Sequence, residues 1–174
     1  DFSIIAPISQ DKNFGSVIKD SKLKKRGIFE TNYVKGFALL VNTKIIKKVG
    51  MFDKNIFLYF EEIDLCKRLK ERNYKIYVNT KAKIFHKAAK SSNIGFEFDK
   101  CRHWHWMWSS VYFKRKHFNN LETLINFTPI LFINLLKTIF FLIIFQPRKK
   151  MINFMRFSGT LNALLGKNSW YRPN

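Results

Sequence analysis

The order of apolar and polar residues in the first half of the chain predicts β-strands that alternate with short helices. Apolar residues at helical spacing predict helices over 43–50 and 62–72. The polar, lysine-rich stretch 10–30 is expected to be a surface loop. Short apolar or alternating runs predict the strands, which are 1–9, 33–42, 74–79 and 81–87. Strands interleaved with short helices are typical of an α/β fold.

The second half of the chain has a different pattern, which predicts helices. Residues 100–118 are rich in aromatic side chains and end in basic ones, so we expect a helix that lies against an apolar surface. Residues 151–166 predict a further, amphipathic helix. We therefore divide the chain into an α/β domain over 1–98 and an aromatic and amphipathic helical region over 99–174.

The most apolar stretch of the chain is 124–145, in which 16 of 22 residues are Leu, Ile or Phe. On an insertion scale these residues sum to roughly −5 to −10 kcal/mol, and Lys137 near the middle costs about 2.5–3.5 kcal/mol. The stretch is compatible with a buried core helix, a spanning helix or an interfacial hairpin. Because the basic cluster 148–150 follows directly, we favour helices that associate with an anionic membrane surface.

The charge balance indicates an anionic partner. The chain has 32 Lys and Arg against 12 Asp and Glu, a formal net charge of +20. Nucleic acid, an anionic membrane surface and a phosphate-bearing substrate all fit this charge. The basic residues are scattered over many segments and form no recognised nucleic-acid motif, so nucleic acid is the least favoured of the three.

A quarter of the acidic residues lie in the stretch "FLYFEEIDLCKRL", which contains Glu61, Glu62 and Asp64. The helix dipole favours acids in a first turn, and Asp64 can pair with Arg68 four positions on. Neither effect explains the apolar run "FLYF" that precedes the acids. An apolar surrounding raises the pKa of a carboxyl group, which is how a general base is tuned.

A longer motif surrounds these carboxylates. Residues 49–68 read "VGMFDKNIFLYFEEIDLCKR". This stretch resembles "vGgFDe.fFlY.ED.DLc.R", a motif in the C-terminal half of family 2 glycosyltransferases of the bacterial rhamnosyltransferase-like group. The match runs from about residue 33 to 92. The resemblance implies the C-terminal portion of a GT-A fold, the fold of nucleotide-diphospho-sugar transferases.

The resemblance also implies roles for the carboxylates. Glu62 aligns with the general base, which deprotonates an acceptor hydroxyl that attacks the sugar C1 in line and inverts it. The family has Asp at this position, so Glu62 reaches one methylene further. Glu61 is expected to orient the pocket. Asp64 and Arg68 complete the predicted substrate-binding set, although they are expected to hold the helix more than to touch substrate.

Further positions come from the same resemblance. Lys35 and Gly36 align with the strand that passes the substrate cleft. His86 aligns with a histidine that helps to bind a divalent cation, Mg or Mn, on the leaving diphosphate; a core histidine is the alternative. The cation itself is held in the family by an Asp-x-Asp motif, which this sequence lacks. We therefore expect a fragment whose donor-binding half lies upstream, and which is inactive alone.

Taken together, these features predict part of an inverting glycosyltransferase. It is expected to transfer sugar from a nucleotide-diphospho-sugar to a lipid-linked or polysaccharide acceptor, at the cytoplasmic face of the bacterial inner membrane, in cell-surface glycan synthesis. The alternative is a non-catalytic basic protein that binds a membrane surface or nucleic acid. The stretch "CRHWHW" holds Cys101, His103 and His105, which favour a helix face over a zinc site because a fourth ligand is missing.

Overall fold

The computed structural model describes residues 2–9, 26–85 and 95–172, which form a mixed four-stranded sheet and five α-helices. The α/β class predicted from the sequence is confirmed. The chain divides into two compact units, the first made of Asp1–Asp53 with Glu61–Asn93 and the second of Lys54–Phe60 with Ile94–Asn174. The sequence did not predict that Lys54–Phe60 belongs to the second unit, and the domain boundary after residue 98 remains a prediction.

The first unit is built on the sheet. Its strands are β1 (Ile4–Ser9), β2 (Ile28–Thr31), β3 (Leu40–Val41) and β4 (Ile76–Ile84), arranged in the order β2-β4-β1-β3. Strand β1 runs parallel to β4, whereas β2 and β3 are antiparallel to their neighbours. The long central strands carry the side chains that form the core.

Two helices complete the first unit: α1 (Thr43–Lys48) and α2 (Glu61–Glu71). Leu65 and Leu69 of α2 are fully buried in one cluster with Ile4 and Ile76 of the central strands. Burying an aliphatic side chain of this size stabilises the fold by about 1.5–3 kcal/mol. Both predicted helices are confirmed, with α2 beginning one residue earlier than expected.

Three strand predictions need correction. Strand β2 begins within the stretch 10–30 that was predicted as a loop, and the predicted strand over 33–42 forms ladder pairs only at Leu40–Val41. The strands predicted over 74–79 and 81–87 are one strand, β4, whose register against β1 shifts after Pro7. Apolar periodicity reports burial, and it does not distinguish a paired strand from a loop that packs on a helix.

The second unit is helical. It contains α3 (Phe96–His117), α4 (Asn120–Ile143) and α5 (Pro147–Leu164), and α5 packs extensively against both α3 and α4. The core between α3 and α5 consists of large aromatic and aliphatic side chains: Trp104, Trp108, Val111, Met155 and Ala163. The three helices predicted from the sequence are confirmed, each beginning four residues earlier than expected.

Gly159 lets α3 and α5 approach closely. A Cβ atom built on Gly159 would lie 2.3 Å from the carbonyl oxygen of Trp104. This neighbour is backbone in the middle of a helix, so it cannot move aside as the end of a flexible side chain would. The spacing of the two helices is therefore set by the absence of a side chain at this position.

We expect Gly159→Ala to lower the free energy of unfolding by about 1–3 kcal/mol, because the clash with backbone outweighs the helix-propensity gain of about 1 kcal/mol. Thermal and denaturant unfolding followed by circular dichroism measures the change. Gly27→Ala is the matched control, since among the described residues its Cβ would meet only Phe29 ring atoms, at 3.6 Å. Equal effects of the two substitutions would contradict the close approach.

Candidate functional site

Glu62 lies in the first turn of α2, where the helix dipole stabilises a negative charge. Its side chain is half-buried, and no hydrogen bond or ion pair from the described residues engages its carboxylate. Gly36 lies directly beside it: a Cβ on Gly36 would be 3.5 Å from the Cβ and Cδ atoms of Glu62. The structure thus brings together two predicted site residues, and glycine leaves this side of Glu62 uncovered.

The loop that carries Gly36 is fixed to α2 by the preceding residues. Val34 and Cys66 are both fully buried, and the Val34 backbone hydrogen-bonds the Cys66 thiol. Burial raises the pKa of Cys66 to about 11, so this thiol is protonated and inert at neutral pH. Lys35 lies on the same loop, between Val34 and Gly36, and is half-buried. Cys66, which was not predicted as a site residue, therefore positions the two that were.

Glu61 has a carboxylate oxygen that is buried without a hydrogen-bond partner, Oε2. Burial, with a further contribution from the charge of Glu62, raises the pKa of Glu61 above its ordinary value. A buried acceptor without a partner costs stability, so such a group in a native structure calls for an explanation. Its place beside Glu62 suits a carboxyl group that is completed by a bound ligand.

Asp64 and Arg68 form an ion pair inside the first unit. Asp64 is fully buried, and its Oδ2 accepts from Nε of Arg68 at 2.8 Å. Arg68 also donates to the carbonyl oxygens of Val49 at 2.5 Å and Met51 at 2.6 Å. Through these contacts Asp64 and Arg68 join the end of α1 to α2. The contacts favour a positioning role for both residues over direct contact with substrate.

No set of three or more His, Cys, Asp or Glu suited to a metal ion occurs in the described part of the chain. His86, the predicted metal ligand, lies outside the described residues. In the "CRHWHW" stretch, His105 Nε2 lies 2.8 Å from the Tyr171 carbonyl oxygen and burial lowers its pKa. His103 accepts from Arg156, so these side chains have protein partners.

The aromatic run before the carboxylates is held by the second unit. The Leu58 carbonyl accepts from the Ser109 hydroxyl at 2.8 Å, and the Tyr59 hydroxyl accepts from Nε of Arg102 at 2.8 Å. The rings of Tyr59 and Phe60 lie 5.3 and 5.5 Å from that of Trp106. Sequence reasoning missed these anchors, because nothing in the pattern pairs positions that are 43 and 51 residues apart.

Tyr59 and Phe60 have left-handed backbone conformations, with φ angles of 64° and 70°. This conformation costs a non-glycine residue about 1–3 kcal/mol. Strain of this kind persists only where surrounding contacts enforce it, and it is enriched at functional sites. Here it falls directly before the first residue of α2.

Comparison with models of protein families, with curated proteins and with solved structures finds no match for this chain.

We expect Glu61→Gln to raise the melting temperature near neutral pH. Because the folded-state pKa is raised, the folded protein binds this proton more tightly than the unfolded chain. Stability is therefore lost as pH rises from the ordinary value of 4.5 through the folded-state pKa. Glutamine does not ionise, so the variant avoids this loss of stability. Its higher melting temperature should therefore disappear in acid, where Glu61 is protonated in both states. Thermal melts across pH measure it, with Glu71→Gln at the exposed end of α2 as the control; a pH-independent gain would refute the burial argument.

Proposed function

We propose that this chain is the acceptor-side part of an inverting glycosyltransferase associated with a membrane surface. The observation that carries the proposal is Glu62: a half-exposed carboxylate without a partner in the described residues, next to Gly36 in a motif that resembles the family's catalytic segment. A general base needs an accessible, ionised carboxylate at a fixed position. The first turn of α2 holds Glu62 at a fixed, partly accessible position.

In the proposed reaction, the Glu62 carboxylate takes the proton of an acceptor hydroxyl. The hydroxyl oxygen forms a bond to the sugar C1, the bond from C1 to the diphosphate oxygen breaks, and its electron pair leaves with the nucleoside diphosphate. Glu61 lies next to this base, and its partnerless oxygen is suited to accept a hydrogen bond from a bound acceptor. In this proposal Glu62 removes the proton, and Glu61 orients the acceptor.

The divalent cation that the resemblance implies does not fit the described residues. They offer no ligand set of three or more, and the sequence lacks the Asp-x-Asp motif. We assign no step to a cation on this chain. The proposal concerns acceptor activation, which needs only the residues of α2 and the loop that carries Gly36.

We expect Glu62→Gln to lower sugar transfer by about 10²–10⁴-fold, the usual contribution of a general base. Glu62→Asp should retain activity, because Asp is the residue that the resemblance implies at this position. The substitutions are introduced into the gene in its own cell, and transfer is measured as product on the surface glycan. Glu71→Gln is the matched control on the same helix. Unchanged transfer by Glu62→Gln would remove Glu62 from the role of base.

The membrane part of the proposal rests on α4, whose polarity is reversed relative to a water-soluble helix. The two side chains that α4 buries fully are polar, Thr123 at 1% and Asn134 at 6% exposed, although the half-buried Phe127 also packs on the core. The outward side is apolar, with Ile125, Leu136 and Ile143 each more than 60% exposed. Polar groups inside and apolar groups outside are what a helix in contact with lipid requires.

The inward polar groups are satisfied within the helix itself. Thr123 donates to the Asn119 carbonyl at 3.0 Å, and Asn134 donates to the Ile130 carbonyl at 2.8 Å. Lys137 lies about 120° around the helix from the centre of the apolar side, so its ammonium can reach the head groups.

The packing of α5 along α4 favours a position of α4 in the plane of the membrane. Among the described residues, only α4 is long and apolar enough to cross a bilayer by length and composition. Helix α5 packs along α4 and carries the basic cluster 148–150 at its start. Because α5 is too polar to be drawn through a bilayer, an in-plane position with the cations among anionic head groups is the less costly arrangement.

We expect Leu136→Glu to release the protein from vesicles that contain phosphatidylglycerol, measured by flotation, because it places a charge in the centre of the apolar side. Asn126→Glu adds the same charge at an exposed flank of α4 and is the matched control. Phe145→Cys tests the orientation, since Phe145 is 89% exposed and both native cysteines are buried. Labelling of that cysteine only from inside sealed vesicles would contradict the in-plane position.

A further inference from the structure

A cleft of about 270 Å³ lies in the second unit, apart from the apolar side of α4. Its lining consists of Tyr59, Arg102, His103, Trp106 and Arg156. The proposed reaction uses none of these side chains. A cleft of this size holds a small ligand or the head of a larger one.

The two arginines retain free donors. Arg102 uses Nε for the Tyr59 hydroxyl, and its Nη1 lies 3.8 Å from Oδ1 of Asp99, beyond hydrogen-bond distance. Arg156 donates from Nε to Nδ1 of His103 at 3.3 Å, and no carboxylate of the described residues pairs with it. A guanidinium has five N–H donors, so most of those on Arg156 remain available.

The other polar groups of the cleft also donate. Because Nδ1 of His103 accepts from Arg156, the proton of the neutral ring is on Nε2. Burial and the charge of Arg156 lower the pKa of His103, so the ring is neutral at physiological pH. The Tyr59 hydroxyl accepts from Arg102 and keeps its own proton for donation. A ligand that suits this cleft is therefore rich in acceptors and negatively charged.

Arg115, on the same helix as Arg102, shows the contrasting situation. It donates to the carbonyl oxygens of Ala163 at 2.5 Å and Leu164 at 3.4 Å, at the C-terminal end of α5. The Ala163 carbonyl also accepts from the Gly166 backbone N–H at 3.1 Å, so Arg115 adds to the cap of α5 and has a structural role. No backbone carbonyl of the described residues holds Arg156 in the same way.

We propose that this cleft binds a phosphate group between the guanidinium groups of Arg102 and Arg156. Guanidinium forks match phosphate oxygens in geometry and charge. The ring of Trp106, 51% exposed and fixed by the edges of Tyr59 and Phe60, forms one wall for the organic part of the ligand. The proposal does not depend on the glycosyltransferase function.

The phosphate can belong to a soluble molecule or to a lipid head group, and two binding experiments distinguish these sources. Isothermal titration with inorganic pyrophosphate at constant ionic strength tests the first. Flotation with phosphatidylcholine vesicles containing phosphatidic acid tests the second. Both compare the wild-type protein with Arg156→Gln, which keeps a donor for His103, and with Arg156→Lys, which keeps the charge without the fork.

We expect Arg156→Gln to weaken binding in at least one experiment by about tenfold or more, the effect of losing a charge-assisted pair. The binding affinity of Arg156→Lys should lie between that of Arg156→Gln and that of the wild-type protein. Lys54→Gln removes one exposed charge from the same unit and should bind as wild type, and circular dichroism checks that each variant is folded. Loss confined to pyrophosphate indicates a soluble ligand, and loss confined to vesicles a head group. Wild-type binding by Arg156→Gln in both experiments, or equal loss in Lys54→Gln, would overturn the proposal.

Discussion

The buried ion pair between Asp64 and Arg68 fixes the start of α2, and the proposed chemistry depends on that start. A fully buried carboxylate is tolerated only while its partner is present, since removal of one member of such a pair costs about 3–5 kcal/mol. Arg68 extends the constraint to the end of α1 through two backbone carbonyls. Glu62 lies two residues before Asp64 on the same helix, so its direction is set by an interaction that touches no substrate. The Val34–Cys66 contact places Gly36 on the remaining side.

The second unit is organised by aromatic packing rather than by charge. Trp104 and Trp108 fill the space between α3 and α5, and Gly159 determines how closely those helices approach. The exposed Trp106 of the same α3 has a different partner, the aromatic run that ends at Phe60. That run keeps an unfavourable backbone conformation, which its contacts with α3 compensate. One helix therefore serves as a core element on one side and as a support for a strained segment on the other.

The sequence predicted most of the helices, because apolar spacing reports which side of a helix is buried. The sequence was least informative where a residue is buried but forms no hydrogen bonds in a strand ladder. Residues 33–39 are apolar enough for a strand, yet Val34 packs on α2 without ladder pairing. Within the candidate site, the resemblance implied roles for Glu62 and Gly36 separately, and the structure places the two side by side. The sequence could not predict that Arg102 and Arg156 line one cleft, because only the fold brings α3 and α5 together.

The reversed polarity of α4 has a consequence for the order of events during synthesis. Helix α4 leaves the ribosome before α5, the helix that covers its polar side. For that interval the apolar side is already complete, and Thr123 and Asn134 each donate a hydrogen bond to a carbonyl one turn earlier in the chain. The nascent chain can therefore meet a lipid surface before the second unit closes. On the proposed membrane association, attachment would precede the assembly of the helices, and the bilayer would then be a component of the folding pathway.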